Sequence, residues 1–222
     1  GGLSESNKTC IPIHQMDGKS LQQIVQFFYT AEVEVTEKNV QDLLSTASLL
    51  QVQSVLDACC EFMRRQLTDE NCLGIASFAD QHSCTELLHD AEKFARKHFI
   101  DVLQNEEFMS LTPRQLSRLI AEDELNVQCE ERVFEAVLAW IKHDPAKRCE
   151  YASDVLKEVR FNLLSVEFLL DRVGIEDVIR SDKLCIDYLL DGLRSCFLSK
   201  NQTTRQRRPT SDHQVLYSVG GM

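Results

Sequence analysis

The 222 residues contain no apolar run long enough to cross a bilayer as a helix. The opening GGLSESNKTC lacks a charged leader followed by an apolar stretch, so no secretory signal is expected. It also lacks an initiator methionine, and the chain reads as a fragment. Basic charge is the minority: 24 Lys and Arg stand against 35 Asp and Glu, a formal net charge of −11. That balance argues against a nucleic-acid binder, which needs a basic face, and suits partners with basic patches. Glycine pairs occur only at the two ends, and no P-loop, G-x-S-x-G or H-E-x-x-H is present. None of the nine cysteines is spaced C-x-x-C from another, so they read as reduced thiols in a cytoplasmic or nuclear protein. No catalytic, cofactor-binding or metal-binding residue is assigned, and the chain is expected not to be an enzyme.

What is present is amphipathic helix. The chain is 43% hydrophobic and 27% charged, enough to bury a core. Leu21, Ile24, Val25 and Phe28 recur as one helical face, and Val33 and Val35 alternate as a short strand. Thr36 is placed as the cap of a helix carrying Val40, Leu43, Leu44, Ala47 and Leu50. A tight turn near Leu50-Gln51-Val52 leads to a helix with Val55, Leu56, Cys59 and Met63. Thr68-Asp69 opens a helix with Leu73, Ile75 and Phe78. Ser83 and Glu86 form a capping box before Leu87, Leu88, Ala91 and Phe94. Thr112-Pro113-Arg114-Gln115 is a stronger start, with cap, first-turn proline and capping-box glutamine in register.

The clearest helix carries Val133, Phe134, Val137, Leu138 and Ile141 and stops at Asp144-Pro145. Ser165 and Ser181 are placed as the starts of two later helices. The reading is a mainly α chain of roughly eight to ten short helices without a fixed repeat period. Residues 199–213 have no large apolar side chain and read as a solvated linker, Arg205, Arg207 and Arg208 included. Residues 9–17 read as an edge strand at best, because of Pro12, and VLYSVGGM (215–222) as a strand.

Candidate chemistry is thin. His82, Cys84 and His89, with Cys72 upstream, match no zinc spacing and read as cap and core residues. Cys59 and Cys60 are neighbours on a helix and cannot face each other, so one is expected inside and one at the periphery. Glu122-Asp123-Glu124 and Glu130-Glu131 read as solvated acids at a loop and a helix start, where the helix dipole favours them, rather than as a catalytic pair. Trp140 reads as a buried anchor between helices. A thiol-dependent enzyme would need an exposed cysteine of lowered pKa with a base in reach.

Several segments together resemble one family. FFYTAEVEVTEKNVQDLLSTASLLQ (27–51) resembles the second half of a BTB domain. CCEFMRRQLTDENCLGIASFADQHSC (59–84) resembles the BTB-to-BACK junction of Kelch-like proteins. LSRLIAEDELNVQCEERVFEAVLAWIKHD (116–144) is similar to the BACK core, and VLYSVGGM to the first strand of a Kelch propeller blade. RFNLL (160–164) stands where the family has R-L-P-L-L, a difference assigned to local packing.

The resemblance implies a mainly α chain: the C-terminal half of a BTB domain over 1–66, a 3-box and BACK domain of paired helices over 67–198, a linker over 199–213, and the start of a Kelch repeat over 214–222. It implies a substrate adaptor of cullin-3 ubiquitin ligases, with cullin-3 bound through BTB and 3-box helices and a substrate recruited by a propeller. The cullin-facing residues carried over are Leu3, Ser4, Glu5, Tyr29, Phe78, Ala79 and His82. Homodimerisation is expected of the full-length family and not of this chain, since the dimerising front half of the BTB domain is absent from it. A non-ligase scaffold, for example an actin-associated one, is the alternative. Residues 1–66, lacking that front half, are expected to be less stable than 105–198.

Overall fold

The computed structural model describes residues 16–198 and Arg207. Leu3, Ser4 and Glu5, the edge strand before Met16 and the strand at 215–222 lie outside the described residues. Among those described there are helices and turns and no strand. Two compact units are present: residues up to Leu67 with Ile75–Ala91, and Thr68–Gly74 with Glu92 onward.

The first unit is built on α1 (Gly18–Thr30), α2 (Val40–Leu50) and α3 (Gln53–Arg65). Asp17 caps α1, its Oδ2 accepting from the Ser20 N–H at 2.8 Å and the Ser20 hydroxyl at 3.0 Å. Ile24 is fully buried and Phe27 packs beside it, whereas Val25 and Phe28 point outward. The apolar residues of α1 span more of the helix than one neighbouring surface can cover, so the expected face is rotated. The expected strand at Val33–Val35 is not formed. Both valines pack against the core from an irregular segment with no partner strand among the described residues.

Thr36 is likewise not the cap of α2. Asn39 holds that position and ties the preceding loop: its Oδ1 accepts from the Thr36 N–H at 2.7 Å and its Nδ2 donates to the Glu34 carbonyl at 2.8 Å. Val40, Leu43, Leu44 and Ala47 are buried as expected, while Leu50 stays exposed.

Three helices here end on a left-handed residue that is not glycine: α1 does so at Ala31 (φ 58°), and two more add a further closure. After α2, Gln51 takes φ 57°, and the Val52 N–H reaches the Ala47 carbonyl at 2.9 Å. α4 (Cys72–Gln81) ends the same way: Ser83 takes φ 57° and the Cys84 N–H reaches the Ala79 carbonyl at 2.9 Å. Both are Schellman closures, which satisfy carbonyls that a helix end leaves free. Ser83 therefore closes α4 rather than capping α5 (Thr85–Lys97). The core of this unit joins Ile24, Leu43, Leu44, Ala47, Val55, Cys59, Met63, Ala79 and Leu87.

The second unit follows through α6 (Phe99–Val102), α7 (Glu106–Met109) and α8 (Pro113–Ala121) to α9 (Glu130–His143). The Thr112 capping box forms in full. The Gln115 N–H donates to Thr112 Oγ1 at 3.3 Å, and Gln115 Oε1 accepts from the Thr112 N–H at 3.0 Å. α9 is the most buried element, with Val133, Phe134, Val137, Leu138, Trp140 and Ile141 inside. Trp140 is an anchor: its Nε1–H donates to the Leu111 carbonyl at 3.0 Å, and the Arg148 guanidinium lies 4.3 Å from its ring.

Beyond α9 come α10 (Pro145–Arg148), α11 (Ala152–Leu156), α12 (Val166–Phe168), α13 (Asp177–Ser181) and α14 (Lys183–Leu198). Ser165 caps α12, accepting from the Phe168 N–H at 3.3 Å. Ser181 does not start α14; it ends α13, and Asp182 Oδ1 accepts from the Leu184 N–H at 2.7 Å instead. Phe161 is buried edge-on to Phe134 (6.2 Å, 82°) and beside Tyr188 (6.0 Å). Gly192 faces it so closely that a Cβ there would stand 3.0 Å from both the Phe161 Cβ and its carbonyl oxygen.

Candidate partner-binding surface

The apolar residues that α1 does not bury form an outward face at its C-terminal end. Tyr29 is 87% exposed, Phe28 67% and Val25 47%. Phe28 and Tyr29 follow Val25 by three and four residues, about one turn, so both lie on the side of α1 that Val25 occupies. The chain turns away directly afterwards, because Ala31 takes φ 58° and Thr30 Oγ1 accepts from the Glu32 N–H at 3.2 Å. Beside this turn lies an open cleft of about 480 Å³, whose lining includes Gln26, Thr30, Glu32 and Glu34. The exposed aromatics offer anchors for a pocket, and the carboxylates of the cleft, on the other side of α1, offer acceptors for basic groups. Tyr29 was singled out by the resemblance, and it is exposed. Val25 and Phe28, which periodicity put on the apolar face of the helix, are exposed as well.

Phe78 on α4 and His82 in the turn just past its end are four residues apart, their rings 4.5 Å apart and both half-buried. His82 Nε2 and Ser45 Oγ are 3.2 Å apart, which ties α4 to α2. Ala79 has no exposed surface and belongs to the core, so it cannot lie on an open face. A second cleft of about 470 Å³ runs between α3 and the start of α5. Arg64 crosses it, pairing with Glu61 at 2.7 Å and Asp90 at 2.6 Å.

The other residues considered for chemistry take structural places. Cys59 is buried and Cys60 half-buried. Burial pushes the thiols of Cys59, Cys60 and Cys185 up to about 12, and that of Cys72 up to about 11. A thiol with so high a pKa is a poor nucleophile near neutrality. Cys84 is buried and His89 exposed. Among the described residues, no three His, Cys, Asp or Glu side chains gather as metal ligands. None of the described helices is long and apolar enough to cross a membrane.

The acid clusters depart furthest from expectation. Glu130, read as a solvated acid, is buried, with its side chain 1% exposed. Arg207, read as part of a solvated linker, is its partner, with its side chain 5% exposed. Asp123 pairs with Arg160 at 2.5 Å, and Glu131 Oε1 accepts from the Ser165 hydroxyl at 3.0 Å. The signal for Glu130 and Arg207 lies in tertiary proximity alone, since 77 residues separate them.

Comparison with known proteins adds to this geometry. The BTB/POZ domain matches residues 1–67, and the domain described as BACK, "BTB And C-terminal Kelch", matches residues 72–174. The chain is 45% identical to Kelch-like protein 17 of Homo sapiens over 225 residues, covering 99% of this chain and 35% of that protein. It is 42% identical to Kelch-like protein 2 of Mus musculus over 228 residues, covering 100% of this chain and 38% of that protein. It thus spans little more than a third of the length of these curated relatives.

Proposed function

The chain belongs to the Kelch-like family, and from that premise we propose that it serves as a substrate-adaptor part of a cullin-3 ubiquitin ligase, binding the cullin-3 scaffold and performing no chemistry itself. The observation that carries this reading is the outward face at the end of α1. Tyr29 and Phe28 are large, exposed and held on a regular helix. Aromatic residues of this kind are the usual anchors of protein interfaces, because they bury much area for little loss of side-chain freedom. Glu32 and Glu34, on the cleft beside the turn that follows α1, would pair with basic groups of the partner.

In this reading residues 1–66 belong to the BTB domain and 67–198 to the 3-box and BACK domain. The linker covers 199–213 and a Kelch repeat begins at 214. Phe78 and His82 border the grip, Ala79 supports it from the core, and Leu3, Ser4 and Glu5 join it by resemblance. A Kelch propeller would recruit the substrate.

The test is calorimetric titration with the cullin-3 N-terminal domain. Tyr29→Ala and Phe28→Ala should each weaken binding by about tenfold or more, as interface anchors do. Leu170→Ala, an exposed leucine of the second unit, should leave binding unchanged. If the parent chain binds and the α1 variants bind equally well, this surface is not the grip. If neither this chain nor one extended to a whole BTB domain binds, the adaptor reading falls and the scaffold alternative gains.

A further inference from the structure

Glu130, the first residue of α9, turns its carboxylate inward. Three N–H donors meet it: Arg207 Nε at 2.8 Å, Arg207 Nη2 at 2.8 Å and the Arg160 backbone N–H at 3.0 Å. The remaining guanidinium nitrogen of Arg207, Nη1, donates to the carbonyls of Ile120 at 2.7 Å and Glu122 at 2.8 Å. Those carbonyls lie at the C-terminal end of α8, where free acceptors and the helix dipole both favour a cation. The pocket thus presents a carboxylate edge on one side and two carbonyls on the other. That pattern matches a planar fork of donors, and the single ammonium of lysine cannot satisfy it.

We infer that the end of α8 and the start of α9 form a guanidinium-binding socket whose ligand is the chain's own Arg207, so that the polypeptide leaving the helical array is anchored there. The alternative, an accidental surface ion pair, does not fit the burial of both side chains. An exposed pair would contribute little, whereas a buried carboxylate without a partner is strongly unfavourable. The socket therefore requires an occupant, and Arg207 supplies it. This inference stands independently of cullin binding.

The test uses the full chain and limited trypsin digestion followed by mass spectrometry. Cleavage after Arg207 should be slow relative to cleavage after Arg205 in the same molecule. Glu130→Gln should accelerate it by about tenfold or more, as release of a protected site does. Equal rates at the two sites in the parent chain, unchanged by Glu130→Gln, would overturn the anchor.

Because Glu130→Gln can also loosen α9, a second measurement separates the effects. Arg207→Ala leaves the socket empty, and millimolar ethylguanidinium should then raise its Tm by about 2–4 °C. The same additive should do nothing for the Arg207→Ala, Glu130→Gln double variant. No rise in the single variant, or an equal rise in both, refutes the socket.

Discussion

The two units are held together by different means. In the first, the long-range ties are mostly apolar: Ile24, Leu43, Leu44, Val55 and Met63 meet from successive helices, and the outward side of α1 stays uncovered among the described residues. In the second, an apolar core around α9 is crossed by charged ties between residues far apart in sequence. Arg160 reaches Asp123 and Arg172 reaches Glu135, each across 37 residues, and Arg207 reaches Glu130 across 77. Arg172 grips Glu135 with two bonds, at 2.7 and 2.9 Å, and also pairs with Glu176. Apolar packing tolerates small shifts, whereas a forked guanidinium bond fixes orientation. The first unit therefore depends mostly on volume, with Arg64 to Asp90 a charged tie across 26 residues, and the second on volume and direction together.

The largest effect expected from breaking this contrast is at Trp140. Trp140→Ala removes a fully buried ring and orphans the Leu111 carbonyl, and should cost about 4 kcal/mol in urea unfolding. Hydrogen exchange should rise throughout α8–α11 and spare α2 and α3; uniform loss across both units would show that they open as one. Leu44→Ala in the first unit should cost about 3 kcal/mol, with the opposite exchange pattern. Thr112→Ala removes only a capping box and should cost about 1 kcal/mol.

Acid should act on the second unit through Glu176. Burial opposes ionisation of this carboxyl, but hydrogen bonds from Lys142 and Arg172 outweigh it and hold the group below its ordinary value of 4.5. A depressed folded-state value means the stabilisation is present above the unfolded value and is lost as pH falls through the folded one. The gap in Tm between the parent chain and Glu176→Gln should therefore narrow below about pH 4. A gap that stays constant below that pH, through the acid range, would mean the carboxyl is not held low. The smallest effect belongs to the exposed face of α1. Phe28→Ser should change stability by no more than about 0.5 kcal/mol, which distinguishes a surface kept for a partner from one that supports the fold.

Much of this was legible in the sequence. The Thr112 capping box, the stop at Pro145, the buried stripe of α9 and the tight turn at Gln51 all rest on neighbours within a few residues, where local chemistry decides. Errors arose where two local rules competed. Ser83 has the composition of an N-cap, yet the preceding helix needed a left-handed closure first. Val33 and Val35 alternate like a strand, but β-propensity forms no strand without a partner to bond.

By itself the sequence determined the longer helices, several of their ends and most of the residues fit for a core, because helix period and caps are set within one or two turns. Only the tertiary structure decided which of the apolar residues of α1 would be covered and which of the charges would be buried. Tyr29 and Phe28 are outside, and Glu130 and Arg207 inside, for the same reason: burial depends on what else is near, and residues 77 apart carry no mark of each other until the chain has folded.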